Sequence, residues 1–511
     1  MSDNSANNKI IAKNTLFLYF RTILIMLVTL YTSRVILNTL GVEDFGVYNA
    51  VGGVVSMFAI ISGALSNAIS RYITYDIGKG EKARLKIVFC TSLNIQMIIA
   101  FVIFILCEVV GLWFLNSKMN IPEDRLVAAN WVLHFSLLTF VINLISVPYN
   151  ASIIAYEHMK AYAYISIFDA ILKLSIAYLL IVSPIDKLIA YSFLLFVAAF
   201  GIRLIYVFYC VRHFEECKYE PIYEKGLFKE MMGFAGWNFF GNAASVLNTQ
   251  GINLLINVFF GVIANSARGI ASQVDAAVNQ FVLSFTTAVS PQITKSYAQG
   301  DSQRMFYLVC KGTKFSYFLL LFFAIPIIFE TDKILEIWLG IVPDDASILV
   351  RLALIGAMVT VLGNTGYTAC MATGNIKTYS IWITFVGSMV FPLTWIVYKL
   401  GASVETTYII YIGVYMVLQV VRLFIMKNLL GFPISLFMKT VIAPILLVSV
   451  IAVIVPYSVI LMCETSLFRV IYTFGAATIW TTICVISFGF TKGERIIVLK
   501  KVKQIINKVR R

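Results

Sequence analysis

Apolar runs of roughly 20 residues, each long enough to cross a bilayer as a helix, recur along nearly the whole chain. Short polar connections separate them. The pattern also repeats at long range. Slid along itself by 220 residues without a gap, the sequence places Ile36, Gly41 and Val42 on Ile256, Gly261 and Val262. The same shift places Ala68, Ser70, Ile73, Thr74, Gly80, Arg84 and Cys90 on Ala288, Ser290, Ile293, Thr294, Gly300, Arg304 and Cys310, and Glu81 on Asp301. Each copy reads as a helix, a short Gly-bearing turn, a second helix and a polar loop. A unit this long is half a molecule rather than a solenoid repeat. It predicts a transporter built of two facing bundles.

Fourteen spans are predicted, among them 15–40, 46–70, 232–260 and 266–290. Their grouping gives a cytoplasmic leader (1–14), an N-lobe of six spans (15–211), a hinge loop (212–230), a C-lobe of six (231–426), two further spans (427–490) and a basic tail (491–511). Six spans per half give both halves one orientation, hence a parallel repeat with its axis along the membrane normal. Pro291 to Lys314 is expected as the second copy of the first cytoplasmic loop. The first span lacks the small-residue cleavage site of a signal peptide and is expected to be retained.

Composition agrees: 60% of the residues are hydrophobic and 13% charged, with a mean hydropathy of +0.86, far from a soluble domain. The formal charge of +14 first suggests nucleic acid, but its distribution argues otherwise. Loops on the side of the N-terminus carry 27 Lys/Arg against 11 Asp/Glu, and the opposite loops 6 against 12. That asymmetry places both termini in the cytoplasm. The tail, with eight Lys/Arg against Glu494, is expected to lie on anionic lipid. Inside the spans remain 7 Lys/Arg and 3 Asp/Glu, a cationic surplus that asks for a functional reason.

Polar stripes mark where that surplus would act. In the seventh span Asn238, Asn242, Ser245, Thr249, Asn253 and Asn257 share one helix face. The eighth adds Arg268, Ser272, Asp275 and Asn279, and the second shows Asn49, Gly52, Ser56, Gly63, Asn67 and Ser70. Such stripes serve either as a wet cavity wall or as helix–helix glue. Arg21, Arg34 and Arg268 are the candidate cations, with Asn49, Asn67, Asn238, Asn242, Asn253, Asn257 and Asn279 as further cavity candidates. Asp275 is the candidate for ion coupling. Asp169 and Lys173, four residues apart, read as a self-neutralising structural pair. Arg203, Arg351, Arg422 and Glu108 are left without partners. Eight scattered cysteines and three histidines show no metal or triad spacing, and there is no phosphate-binding loop. No cofactor is expected, and the driving force would come from gradients or membrane potential.

Tyr31-Thr32-Ser33-Arg34, Leu40-Gly41-Val42-Glu43-Asp44-Phe45-Gly46-Val47-Tyr48 and Val51-Gly52-Gly53 resemble the opening hairpin of bacterial polysaccharide (O-antigen-type) flippases. These belong to the multidrug/oligosaccharidyl-lipid/polysaccharide exporter superfamily. Arg71 with Gly78-Lys79-Gly80-Glu81, and Ile337-Trp338-Leu339-Gly340 with Pro343, are similar to that family too. The resemblance implies an all-α integral membrane protein of two six-helix lobes plus two C-terminal helices, placed in the bacterial cytoplasmic membrane. It also implies alternating access to an undecaprenyl-diphosphate-linked oligosaccharide for lipopolysaccharide O-antigen synthesis. H+ or Na+ coupling, contact with a polysaccharide polymerase and a cation-lined lumen belong to the same expectation. The alternatives are a cation-coupled multidrug extruder, which wants an acidic aromatic site, and a membrane glycosyltransferase or polymerase. The latter wants paired carboxylates or a folded loop. A non-transporting scaffold stands behind both.

Overall fold

A computed structural model of the chain describes residues 2–56, 69, 72–73, 82–156, 158–222, 224–229, 231–232, 246–373, 377–464, 466–491 and 494–495, with side chains from Ile23 onward. Among the described residues the secondary structure is helical throughout. Twelve stretches are long and apolar enough to cross a membrane, and the chain is a multi-pass membrane protein. Two of the twelve, Ile23–Val55 and Leu247–Leu283, pass through a glycine at which helical geometry breaks. Each covers ground that the sequence pattern divides into two spans. The breaks are Gly41 (φ +83°, ψ 170°) and Gly261 (φ +80°, ψ −169°), equivalent positions of the 220-residue repeat. Only glycine takes that conformation without a Cβ penalty, so the same corner is built twice.

The described chain forms two compact units: residues 1–269 with 338–344, and residues 270–337 with 345–511. The first contains α1 (Ser2–Ser56), α2 (Lys82–Leu106), α3 (Leu126–Ile145), α4 (Val147–Ala155), α5 (Met159–Leu179), α6 (Lys187–His213) and the opening of α7 (Ile252–Ala298). Here α3 packs on α6, and α1 on α5 and α3. Val47, Val51, Leu133, Leu137, Leu144, Leu188 and Val262 are buried together at the centre. One end of the unit is clamped by Arg125, whose Nη1 lies 2.8 Å from Asp186 Oδ2 while its Nε donates to Asp44 Oδ1 at 2.6 Å. Asp186 also caps α6 by accepting from the Leu188 and Ile189 N–H groups. Burial would raise its carboxyl pKa, but those N–H groups and the guanidinium outweigh burial and hold it below the usual range.

The second unit holds the rest of α7, then α8 (Ser302–Phe329), most of α9 (Thr331–Leu339), α10 (Ala346–Thr360), α11 (Asn364–Ala372), α12 (Lys377–Ser388), α13 (Val390–Lys399) and α14 (Thr406–Leu430). It ends with α15 (Ile434–Phe437), α16 (Ala443–Met462) and α17 (Leu467–Cys484). The last two long helices pack on each other and on α8. At one end, Glu330 is fully buried and accepts from Arg469 Nε at 3.0 Å, Arg469 Nη2 at 2.9 Å and Thr473 Oγ1 at 2.7 Å. Elsewhere in the unit, Glu494 receives Lys314 at 2.9 Å, Lys311 at 3.3 Å and the Thr491 N–H at 2.8 Å. Burial opposes ionisation of Glu494, but the Thr491 N–H and the two ammonium groups prevail and depress its pKa. The tail's lone acid is therefore docked on α8.

One expectation is corrected. Pro291 to Lys314 is not a loop: α7 continues to Ala298 and α8 starts at Ser302. Gly300 turns the chain at φ +72°, and Asp301 caps α8 by accepting from the Arg304 N–H at 2.9 Å. α7 runs on beyond its apolar stretch, Leu247–Leu283, to Ala298.

Removing one partner of a buried ion pair costs about 3–5 kcal/mol, because the other charge is stranded. Glu330→Ala should therefore lower the thermal unfolding temperature of the detergent-solubilised protein by several degrees. Glu330→Leu combined with Arg469→Leu should recover much of that loss. A Glu330→Ala protein as stable as the wild type would refute the assignment.

Candidate functional site

Within the first unit, the two copies of the glycine corner press on one another at the same positions. A methyl built on Gly46 would stand 2.0 Å from the carbonyl oxygen of Val262. In return Ser266, the repeat equivalent of Gly46, donates its hydroxyl to the carbonyl oxygen of Val42, the equivalent of Val262. Main chain thus meets main chain with no side chain between, the close approach that small residues permit in membrane helices. Further along the same line, Asn253 Nδ2 donates to the Asn49 carbonyl at 3.0 Å. Asn265 Nδ2 donates to Asn253 O at 2.9 Å and to Asn253 Oδ1 at 2.8 Å. Asn49 lies over Gly269, and Asn253 over Gly53, where a Cβ would come within 3.0 and 2.6 Å of the amide nitrogens. Asn257 is fully buried and accepts from the Asn120 N–H at 3.0 Å. Trp338 donates its indole N–H to Leu30 O at 2.8 Å.

Asn257 Nδ2 and Asn265 Oδ1 are buried and have no hydrogen-bond partner among the described residues. Each such atom costs about 1–3 kcal/mol of desolvation. The junction is close-fitting but incompletely satisfied, a combination suited to a contact that forms and separates.

Arg268 is buried beside this junction, and its Nη2 donates to Thr249 O at 3.0 Å and Asn248 O at 3.5 Å. Those carbonyls belong to a wide helical turn at Leu247–Gly251. Such a turn shifts the backbone pairing from i+4 to i+5 and leaves carbonyl groups open to a donor. The helix irregularity and the arginine are one feature: the turn supplies the oxygens that keep a cation in the membrane.

The structure brings Asn49, Asn253, Asn257 and Arg268 into one unit, with the first three engaged on backbone groups. Arg34 is half-buried in the same unit. Asn279 and Asp275 lie in the second unit, amide to carboxylate at 2.8 Å. Asn67, Asn238, Asn242 and the side chain of Arg21 fall outside the described residues. Charges left unassigned by the sequence now have neighbours. Glu108 sits in a second wide turn, Cys107–Gly111, with its Oε1 2.9 Å from His134 Nδ1. Arg351 pairs with Asp332 at 2.5 Å, and Arg422 donates to Gln419 Oε1 at 2.9 Å. Only the last pair is close enough in sequence to leave a helical-spacing signal.

A family model described as "Polysaccharide biosynthesis protein" matches residues 11–297, more than half of the chain. No curated protein matches it. Among solved structures, the fold is similar to a lipid II flippase, MurJ, in an inward closed conformation. The TM-score is 0.70 at 15% identity, covering 93% of this chain and 99% of that one. It is also similar to an inward-facing multidrug resistance MATE family transporter of the MOP superfamily, with TM-score 0.66, 13% identity and coverage of 81% and 96%. An outward-facing transporter of that kind gives 0.59, 15%, and 82% and 96%. The chain shares the fold of these structures and belongs to the polysaccharide biosynthesis protein family.

Proposed function

We propose that the chain moves an undecaprenyl-diphosphate-linked oligosaccharide across the bacterial cytoplasmic membrane by alternating access, for surface polysaccharide such as O-antigen. What supports this reading is membership of the polysaccharide biosynthesis family, together with the surplus of Lys/Arg over Asp/Glu within the spans as the sequence divides them. The prenyl tail stays in lipid while the sugar-diphosphate head needs a polar, positively charged route. An inside-negative potential favours outward movement of an anion by roughly 2.3 kcal/mol per charge per 100 mV, and two phosphate charges gain about twice that. Arg21, Arg34 and Arg268 are the cations assigned to the headgroup, and Asp275 to a coupling H+ or Na+. The corner junction serves as a gate on the side opposite the cytoplasmic termini, closed by the Gly46–Val262 and Ser266–Val42 contacts. Multidrug extrusion by exchange of a coupling cation for organic cations, the alternative for a chain with the fold of a multidrug resistance MATE family transporter, is disfavoured by the sign of the intramembrane charge.

Cells lacking this chain should accumulate undecaprenyl-linked oligosaccharide on the cytoplasmic leaflet, measured by accessibility of the glycan in oriented vesicles. Finding that intermediate already outside in the deletion strain would reject the function. Arg21→Ala, Arg34→Ala and Arg268→Ala should each insert stably, with at least one losing glycan export; wild-type export in all three would remove the site assignment. Gly46→Ala overpacks the corner, an effect worth about 1–3 kcal/mol. Its export rate should fall at least several-fold, while Gly413→Ala, which meets open space, exports normally. Equal export by the two would show that the corner does not gate.

A further inference from the structure

Arg203 stands midway along α6 in the first unit, and the space it faces is no part of the corner junction. Asp169 and Lys173 from α5, Asn143 and Thr139 from α3, and Tyr48 from α1 line the same cavity, about 320 Å³ in volume. Lys173 and Asp169 satisfy each other at 2.8 Å. Arg203 donates its Nε to Asn143 Oδ1 at 2.8 Å, with its guanidinium carbon 5.4 Å from the Tyr206 ring. It makes no ion pair among the described residues. The lining therefore carries two cations and one carboxylate, Asp169, which bonds to the lysine and also acts on Arg203 through space.

Arg203 has a neutral amide as its hydrogen-bond partner and shares its one nearby carboxylate with Lys173, so an anion entering the cavity would balance the remaining positive charge. The size of the space narrows the choice. A water's share of liquid volume is about 30 Å³, so the cavity has room for roughly ten, and a single halide would leave most of it empty. A guanidinium presents paired N–H groups that match two oxygens of one tetrahedral oxyanion. With Nε aimed at Asn143, the remaining N–H groups are available for that purpose.

We propose that this cavity is an oxyanion site that takes the phosphate group of a phosphate ester, with Arg203 as the principal contact and Lys173 as the second cation. The inference stands whether or not the cargo carries a glycan, because it rests on the charge count and shape of this one cavity. Asn143 acts as a positioning residue for the guanidinium.

The test uses the purified full chain in detergent, with thermal unfolding followed as inorganic pyrophosphate is added at constant ionic strength. Wild type should be stabilised in a saturable way that sodium chloride does not reproduce. Arg203→Gln should weaken that response at least tenfold. Asn143→Asp supplies the missing counter-charge from within: it should unfold no earlier than wild type without added anion, yet lose the response, a pattern that mere structural damage does not give. Native mass spectrometry after exposure to phosphatidylglycerol or undecaprenyl phosphate separates the sources. Arg203-dependent retention of either lipid identifies a headgroup phosphate and which one; a response to pyrophosphate alone identifies a soluble oxyanion. An identical response in wild type and Arg203→Gln overturns the proposal. So does a sodium-dependent shift abolished by Asp169→Asn, or the absence of any Arg203-dependent anion or lipid binding.

Discussion

Hydrocarbon has no water to offer an ionised group, so every charge carried into the bilayer must find its answer within the protein. The first requirement on this chain is that accounting, and it is met in several chemically different ways. Glu330 is met by a forked guanidinium and a hydroxyl. Glu108 is met by an imidazole. Arg268 is met by main-chain oxygens released at a widened turn. Lys173 has the carboxylate one turn away. Apart from the Lys173–Asp169 pair, which lies within one helix, these contacts join different helical segments, so neutralising a charge there also fixes a helix. Arg203 differs in that it faces a cavity, with an uncharged amide as its hydrogen-bond partner.

Much of the architecture could be read from the sequence because the determinants are local or periodic. The 220-residue offset puts glycines at 41 and 261, and both are corners with positive φ. Runs of apolar residues announced the spans, since length and hydropathy suffice for that. Where the apolar run stopped, however, sequence placed a loop from Pro291 to Lys314 and the helices simply went on. Hydropathy reports where lipid ends, not where backbone hydrogen bonding ends.

The polar residues were harder to read. Helical spacing showed that Asn253 and Asn257 share a face, but spacing cannot say what that face meets. They meet the Asn49 carbonyl and the Asn120 N–H, partners more than a hundred residues distant. The same limit hid Glu108 with His134, Arg351 with Asp332, and the Arg125 clamp. Single charges read as isolated in sequence because their counterparts are brought alongside only by the helix packing. A four-residue interval did reveal Lys173 with Asp169, yet gave no hint of the cavity that they share with Arg203.

At the corner, one copy of the repeated hairpin carries a hydrogen where the other carries a hydroxymethyl group: Gly46 in the first, Ser266 in the second. Their two environments are mirror roles of one handshake, a hollow and a knuckle. Two identical half-proteins could not make it. A pair of serines would collide with the opposing carbonyls on one side at least, and a pair of glycines would forgo the hydroxyl's grip altogether. The difference at this one position makes the two corners complementary rather than interchangeable, so neither can stand in for the other.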